Sequence, residues 1–244
     1  GDGNGGMIGV NHSGTISKSN SGVSITGTGY DAGGLVGYNY STINECYSTG
    51  TVYGRFKCGG LVGTNEGTIN NSYSSASVEV YQNGWVGGLA GRNIDGIINY
   101  TYSIGTIQAS TSYPSRGGLV GYSDGTVSNS FWNTQTSGMS SSAGGTGKTT
   151  AEMKDANTFI SAGWDFEVET TNGTDNYWDM DNVNGTYNSG YPFLSWQNGN
   201  TVSYIPPLAP LNSIDITGTS GFRFLSSPVS GPVYGDLLEE LWTQ

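Results

Sequence analysis

Gly33-Gly34-Leu35-Val36-Gly37 is a stretch the chain repeats with small edits. It returns as Gly59-Gly60-Leu61-Val62-Gly63, Gly87-Gly88-Leu89-Ala90-Gly91 and Gly117-Gly118-Leu119-Val120-Gly121, and an earlier copy stands at Gly5-Gly6-Met7-Ile8-Gly9. The first glycines, at 5, 33, 59, 87 and 117, are separated by 28, 26, 28 and 30 residues. A near-constant period in this range marks a solenoid, in which each coil buries its apolar side only against its neighbours.

The residues between the glycines select the kind of solenoid. An apolar ladder runs through Ile16, Ile43, Ile69, Ile98 and Val127, then four residues later through Tyr47, Tyr73, Tyr102 and Phe131, and then through Ile25, Val52, Val78 and Ile107. Short β-branched and aromatic runs broken by Gly, Asn, Ser and Thr read as strands and turns. At ~5 residues per strand, each coil has room for three strands and three corners. Two residues beyond each closing glycine stand Asn11, Asn39, Asn65 and Asn93, with Ser123 in the last copy. Stacked asparagines can bond along a corner and tolerate its backbone. The expected fold is all-β: a right-handed parallel β-solenoid (β-helix) of about five coils, its hand taken from the usual crossover preference.

The Gly-Leu-Val-Gly core, its asparagine and the stretch Thr42 to Val52 resemble the GLUG motif of large bacterial surface and secreted proteins. Ser130 to Gly138, Gly144 to Gly147, Thr150 to Met153 and Asn188 to Trp196 look like the segment that follows such repeats. The resemblance covers roughly residues 5 to 197. It implies an adhesin-like protein, or an accessory region beside enzymes such as immunoglobulin peptidases, and no catalytic motif travels with it.

Composition narrows the classes. Charged residues are 11% of 244 and Gly contributes 41, yet 16 Tyr, 6 Trp and strict repetition argue against disorder. A net charge of -11 disfavours nucleic acid and anionic membranes as partners. No apolar run reaches the ~20 residues of a membrane span, so direct insertion is not expected. The chain opens inside a repeat, and an upstream region is expected to precede it.

The expected organisation is repeats over 1–131, a capping region over 132–200, a Pro-rich linker over 201–212 and the start of a C-terminal β/α module or assembly tail over 213–244. Within the capping region, Thr149 to Glu152 reads as a capping box, and Met153, Ala156 and Ile160 with Gly163 outline one amphipathic helix of about three turns. Short aromatic strands are expected over 164–168, 177–180 and 193–196. The region would lie over the end of the apolar column, protecting open strand edges. The uncovered first coil then invites self-association, head to tail, into filaments.

Several residues invite chemistry. Cys46 and Cys58, twelve positions apart, either form a disulfide or are two small side chains, since Ser, Thr, Ala, Val and Arg replace them in other coils. Asp179 and Asp181, with Asn184 in the following turn, are oxygen ligands suited to calcium, although Val183 breaks any EF-hand pattern. No other cofactor is expected. A glycosidase reading of the same carboxylates needs a substrate groove that nothing else suggests. Gly145-Thr146-Gly147-Lys148-Thr149 echoes a phosphate loop but lacks its first glycine, Ser142 standing there. His12, the single histidine, has no triad or metal partner. Tyr38, Tyr53, Tyr81, Trp85, Tyr113 and Tyr122 either pack in loops or present faces to a sugar or protein partner. The sequence therefore points to a non-enzymatic extracellular or cell-surface scaffold, secreted, with a host or matrix protein or glycan as partner. The alternative is the accessory or carbohydrate-binding part of a larger secreted enzyme.

Overall fold

A computed structural model of the chain describes residues 3–82, 84–109, 115–167, 169–181 and 187–197. They lie within one compact unit, Gly1–Pro207; the second, Leu208–Gln244, falls outside the described residues, as do the expected linker and C-terminal module.

The repeats wind into a parallel β-solenoid of four complete turns and part of a fifth. Each turn has four short sides rather than three. Face A stacks Gly3–Gly5, Asp31–Gly33, Lys57–Gly59, Trp85–Gly87 and Ser115–Gly117. Face B stacks Ile8–Asn11, Val36–Asn39, Val62–Asn65, Ala90–Asn93 and Val120–Ser123. Face C carries the Ile and Tyr ladders, as in Thr68–Ser74 beside Ile97–Ser103, and face D stacks Ile25–Thr26, Thr51–Gly54, Ser77–Val80 and Ile107–Gln108. The expectation of three sides fails because the Gly-Gly pair and the asparagine corner cut the strands to two to four residues in most places. Register is one repeat throughout: Ile43 pairs Ile69, which pairs Ile98.

The glycines serve close approach. A Cβ on Gly34, Gly60 or Gly88 would strike the carbonyl oxygen of the equivalent glycine one coil on. The closing glycines let face B lie against face A: a Cβ on Gly63 would sit 2.7 Å from Ala32 N, and one on Gly91 2.6 Å from Cys58 N. Gly37 and Gly121 stand at the same contact, and Gly33, Gly59, Gly87 and Gly117 are similarly hemmed in by backbone. None of these glycines has positive φ.

Two apolar columns fill the coil. One stacks Leu35, Leu61, Leu89 and Leu119 against Ile43, Ile69 and Ile98; the other joins Ala32, Cys58 and Val86 of face A to Val52, Val78 and Ile107 of face D. The asparagines form a buried ladder at the corner after face B. Asn11 Nδ2 donates to Asn39 Oδ1 (2.8 Å), Asn39 to Asn65 (2.7 Å), Asn65 to Asn93 (2.7 Å) and Asn93 to Ser123 Oγ (3.1 Å). The other amide proton of Asn39, Asn65 and Asn93 goes to a carbonyl of its own corner. Replacing Asn65 by alanine orphans a buried donor on Asn39 and a buried acceptor on Asn93. The expected loss is about 3 kcal/mol, read as a lower urea midpoint with an unchanged slope.

The far end of the solenoid is closed by residues 132–148. Trp132 packs into the apolar column, and Thr146–Lys148 pairs with Phe131–Asn133 as one more rung. Along the turns, the amides of Leu61 and Val62 share the Leu89 carbonyl, and those of Leu89 and Ala90 share the Leu119 carbonyl. At the last turn Ser142 Oγ takes that place, accepting from Leu119 N (3.2 Å) and Val120 N (2.8 Å). The phosphate-loop echo is this terminal rung, and Lys148 Nζ lies 3.3 Å from Glu152 Oε1.

Of the capping region expected over 132–200, residues 132–148 do close that end, but the helix and aromatic strands expected there lie elsewhere, and the helix is broken. The capping box forms: Thr149 N donates to Glu152 Oε2 (2.8 Å) and Glu152 N to Thr149 Oγ1 (3.3 Å). It opens only a 3-10 turn, Glu152–Lys154; Asp155 then leaves helical geometry, its side chain accepts from Asn157 N, and a separate helix, Ala156–Ile160, begins. Asp155 is a strong N-cap residue, so it restarts the helix where the sequence pattern suggested continuity. Of the aromatic strands, Trp178–Asp179 pairs antiparallel with Phe193–Leu194, and Phe166 makes a single bridge to Trp178.

Candidate functional site

Two aromatic surfaces run along the solenoid, and they differ in what covers them. The first is the ladder on the outside of face C, where Tyr47, Tyr73, Tyr102 and Phe131 stand in register. Tyr47, Tyr73 and Tyr102 stack at centroid spacings of 5.0 and 4.9 Å. A strap formed by the described residues of 149–197 lies over them. Trp164 contacts Tyr102 and Phe131, and its Nε1 donates to Asn129 O (2.8 Å). Trp178 contacts Tyr73 and Tyr102, Gln197 Nε2 donates to the Tyr73 hydroxyl (3.0 Å), and Trp196 contacts Tyr47 while its Nε1 donates to Glu45 O (3.0 Å). The strap thus runs from the fifth turn back to the second. In the first turn the ladder position is Asn20, which pairs with Tyr47. The aromatic side chains occur only on the turns the strap reaches.

The ladder faces outward because of a residue type the sequence hides. Lys18, Glu45, Asn71, Tyr100 and Asn129 occupy equivalent places and all have positive φ, from 42 to 52°. This left-handed residue breaks the alternation of the strand, so Ile43 and Cys46 enter the apolar column while Tyr47 turns out to the strap.

The second surface is open. On the flank of faces A and B over the first three turns, Tyr30, Asp31, Tyr38, Tyr40, His12 and Lys57 are among the residues lining a cleft of about 300 Å3. Tyr38 and Tyr40 stack at 4.4 Å, His12 stacks on Tyr40 at 5.3 Å, and Tyr30 stacks on Phe56 at 5.2 Å with the Arg55 guanidinium over both rings. Lys57 Nζ lies 3.2 Å from the buried carboxylate of Asp31, which also accepts from Thr64 Oγ1. The Tyr38 hydroxyl donates to Glu66; burial first, and then that bond, hold the phenol well above its ordinary range. Further along the same flank, Arg92 lies over Trp85 and Tyr122, while Tyr53 and Tyr81 stack separately. Tyr113 is outside the described residues. Tyr30, Tyr40 and Phe56 were not singled out from the sequence. The signal for them was register, His12 above Tyr40 and Tyr30 above Phe56 at one-coil spacing.

Asp179 and Asp181 are buried in the strap. Asp179 Oδ1 accepts from Met180 N (2.7 Å) and Asp181 Oδ2 from Tyr187 N (3.0 Å). Asn184 lies outside the described residues, among which no group of His, Cys, Asp or Glu is placed to hold a metal ion. Cys46 and Cys58 are free, buried thiols in different apolar columns, which is the small-side-chain alternative and not the disulfide. Cys46→Ser is expected to change stability by less than about 1 kcal/mol, because Ser72 and Ser130 fill its place one and three turns on and bond the local carbonyl.

Burial pushes the Cys46 thiol up to about 11 and, with the Asp31 charge beside it, the Cys58 thiol up to about 12. Their folded values lie above the unfolded ones, so between roughly pH 9 and 12 the unfolded chain holds fewer protons and stability falls as pH rises. Cys58→Val, matching Val86 in register, should make the decline shallower without abolishing it, because the Tyr73 and Tyr102 phenols, also raised by burial, add their own loss near pH 10, as measured by urea titration at pH 8 and 10.5.

Comparison with known proteins agrees with this geometry. The family model described as the GLUG motif matches residues 28–53, one turn from just before face A through face D. The chain carries the GLUG motif. A protein of Evansella cellulosilytica described as a Gly-rich membrane protein is 46% identical over 89 residues, covering 34% of this chain and 10% of the relative. This chain therefore spans about a tenth of that protein's length. No solved structure matches. Among the described residues, no helix of this GLUG solenoid is long and apolar enough to cross a membrane.

Proposed function

We propose that this chain is a stiff, non-enzymatic spacer in an extracellular or cell-surface protein, a stalk segment that holds other modules away from the cell. The observation that supports it best is the continuity of the ladders. Backbone rungs, the asparagine column and the Leu/Ile column run through every complete turn, the second apolar column runs from turn two onward, and the strap ties turns two to five along one side. Such a rod resists bending and unravelling because no turn can leave without breaking its neighbours' bonds. Its closed far end favours single rods over head-to-tail filaments: a second copy would meet Trp132 and the Ser142 rung instead of an open column. The relative's description as a membrane protein is consistent with surface placement.

Antibody raised against the solenoid and applied to intact source cells tests the reading. Labelling without lysis, lost on brief protease shaving, is the expected result. Labelling only after lysis would overturn it.

A further inference from the structure

The open cleft on the A/B flank has the construction of a ligand site, and we infer that it binds one residue of a neutral saccharide. The contrast with the face C ladder carries the first step. That ladder is buried under the strap, Tyr102 wholly so, whereas Tyr30 and Tyr40 keep 48% and 44% of their surface in water. Stacked rings left exposed on a rigid sheet are walls already fixed in place, and little side-chain entropy is lost when a ligand enters. Tyr40 is held between His12 and Tyr38, and Tyr30 is held by Phe56 with Arg55 over both.

The polar part of the cleft selects the ligand. The Lys57 ammonium has three donors, and Asp31 engages it from one side (3.2 and 3.4 Å), leaving donors for ligand hydroxyls. The cations at the cleft, Lys57 and Arg55, are matched by the carboxylates of Asp31 and Glu66, so an anionic ligand meets no net positive charge. The outer rings of the His12–Tyr40–Tyr38 stack and the exposed ring of Tyr30 take the C–H faces of a pyranose, with Tyr40 holding that stack in place, while the ammonium and phenol hydroxyls meet its oxygens. A volume of about 300 Å3 suits one sugar ring and not a folded partner. The inference is independent of the spacer reading, since a rod with an empty cleft remains a rod.

Saturation-transfer NMR on the intact chain, with neutral gluco-, galacto-, manno- and N-acetylglucosamine trisaccharides at millimolar concentration and uronate trisaccharides beside them, provides the test. Transfer to one ring of at least one neutral sugar is expected, with binding weakened about tenfold or more by Tyr40→Ala or Tyr30→Ala and unchanged by Tyr81→Ala. Shifts of the Lys57 and His12 side-chain resonances in the unaltered chain give a second readout that needs no variant. No transfer from any neutral sugar, binding of uronates alone, or transfer that survives Tyr30→Ala/Tyr40→Ala in a chain with an unchanged melting curve would each overturn the inference.

Discussion

Gly63→Ala is expected to cost more than about 3 kcal/mol, an effect out of proportion to one methyl group. The added Cβ would lie 2.6 Å from Gly37 O and 2.7 Å from Ala32 N. Both are backbone atoms in the middle of the stack, so no rotamer change relieves the overlap and faces A and B must separate. The separation would strain the asparagine ladder at Asn65, two residues on. Gly14→Ala provides the contrast: Gly14 has φ +93° and nothing within 4 Å of its added Cβ. There the cost is only that of a side chain in left-handed backbone, about 1–2 kcal/mol. Equal losses at the two positions, measured by chemical denaturation, would show that these glycines serve backbone freedom and not close approach.

Trp178→Ala is expected to cost about 4 kcal/mol. Trp178 is fully buried, its ring lies 4.5 Å from that of Trp164 and 5.9 Å from that of Tyr102, and its Nε1 donates to Asn71 Oδ1 (3.4 Å). Its removal leaves a cavity between the strap and the tyrosine ladder. Loss of strap protection should follow: amides from Glu152 to Gln197 exchange faster, and Trp164 fluorescence shifts to the red. The amides along faces A and B, on the other side of the coil, should keep their protection. Uniform loss of protection across the chain would mean that strap and coils form a single cooperative unit.

Much of this architecture could be read from the chain, and what could not has physical causes. The solenoid was legible because close approach at Gly34, Gly37 and their repeats leaves only one residue type that fits. The asparagine column was legible because a corner amide needs an identical partner a coil away. The direction of the tyrosine ladder was not. Ile43 and Tyr47 are four apart, which in a regular strand puts both on one face, and the reversal depends on a left-handed residue that is Lys, Glu, Asn or Tyr and never Gly. Read with the isoleucines as one apolar ladder, the tyrosines gave no sign of an outer surface for the aromatic segment that follows, and open strand edges pointed that segment to the end of the column. Tyr47, Tyr73 and Tyr102 against Asn20 held the clue, since a ladder that changes from polar to aromatic after one turn records where a covering segment stops. The open cleft was equally hidden, because Tyr30 and Phe56 precede the glycine motif and come together with Tyr40 only when faces A and B fold back on each other.

The central claim is that the strap lies along the flank, from the fifth turn back to the second. Three rungs at ~4.8 Å separate those turns by roughly 14 Å along the axis. Nuclear Overhauser contacts from the Trp196 indole test it most directly. Contacts to the Tyr47 ring and to Glu45, with Trp164 contacting Phe131 and Asn129, are the predicted result. Contacts from both indoles to Leu119, Trp132 or Ser142 would place the segment over the end of the column and contradict the account.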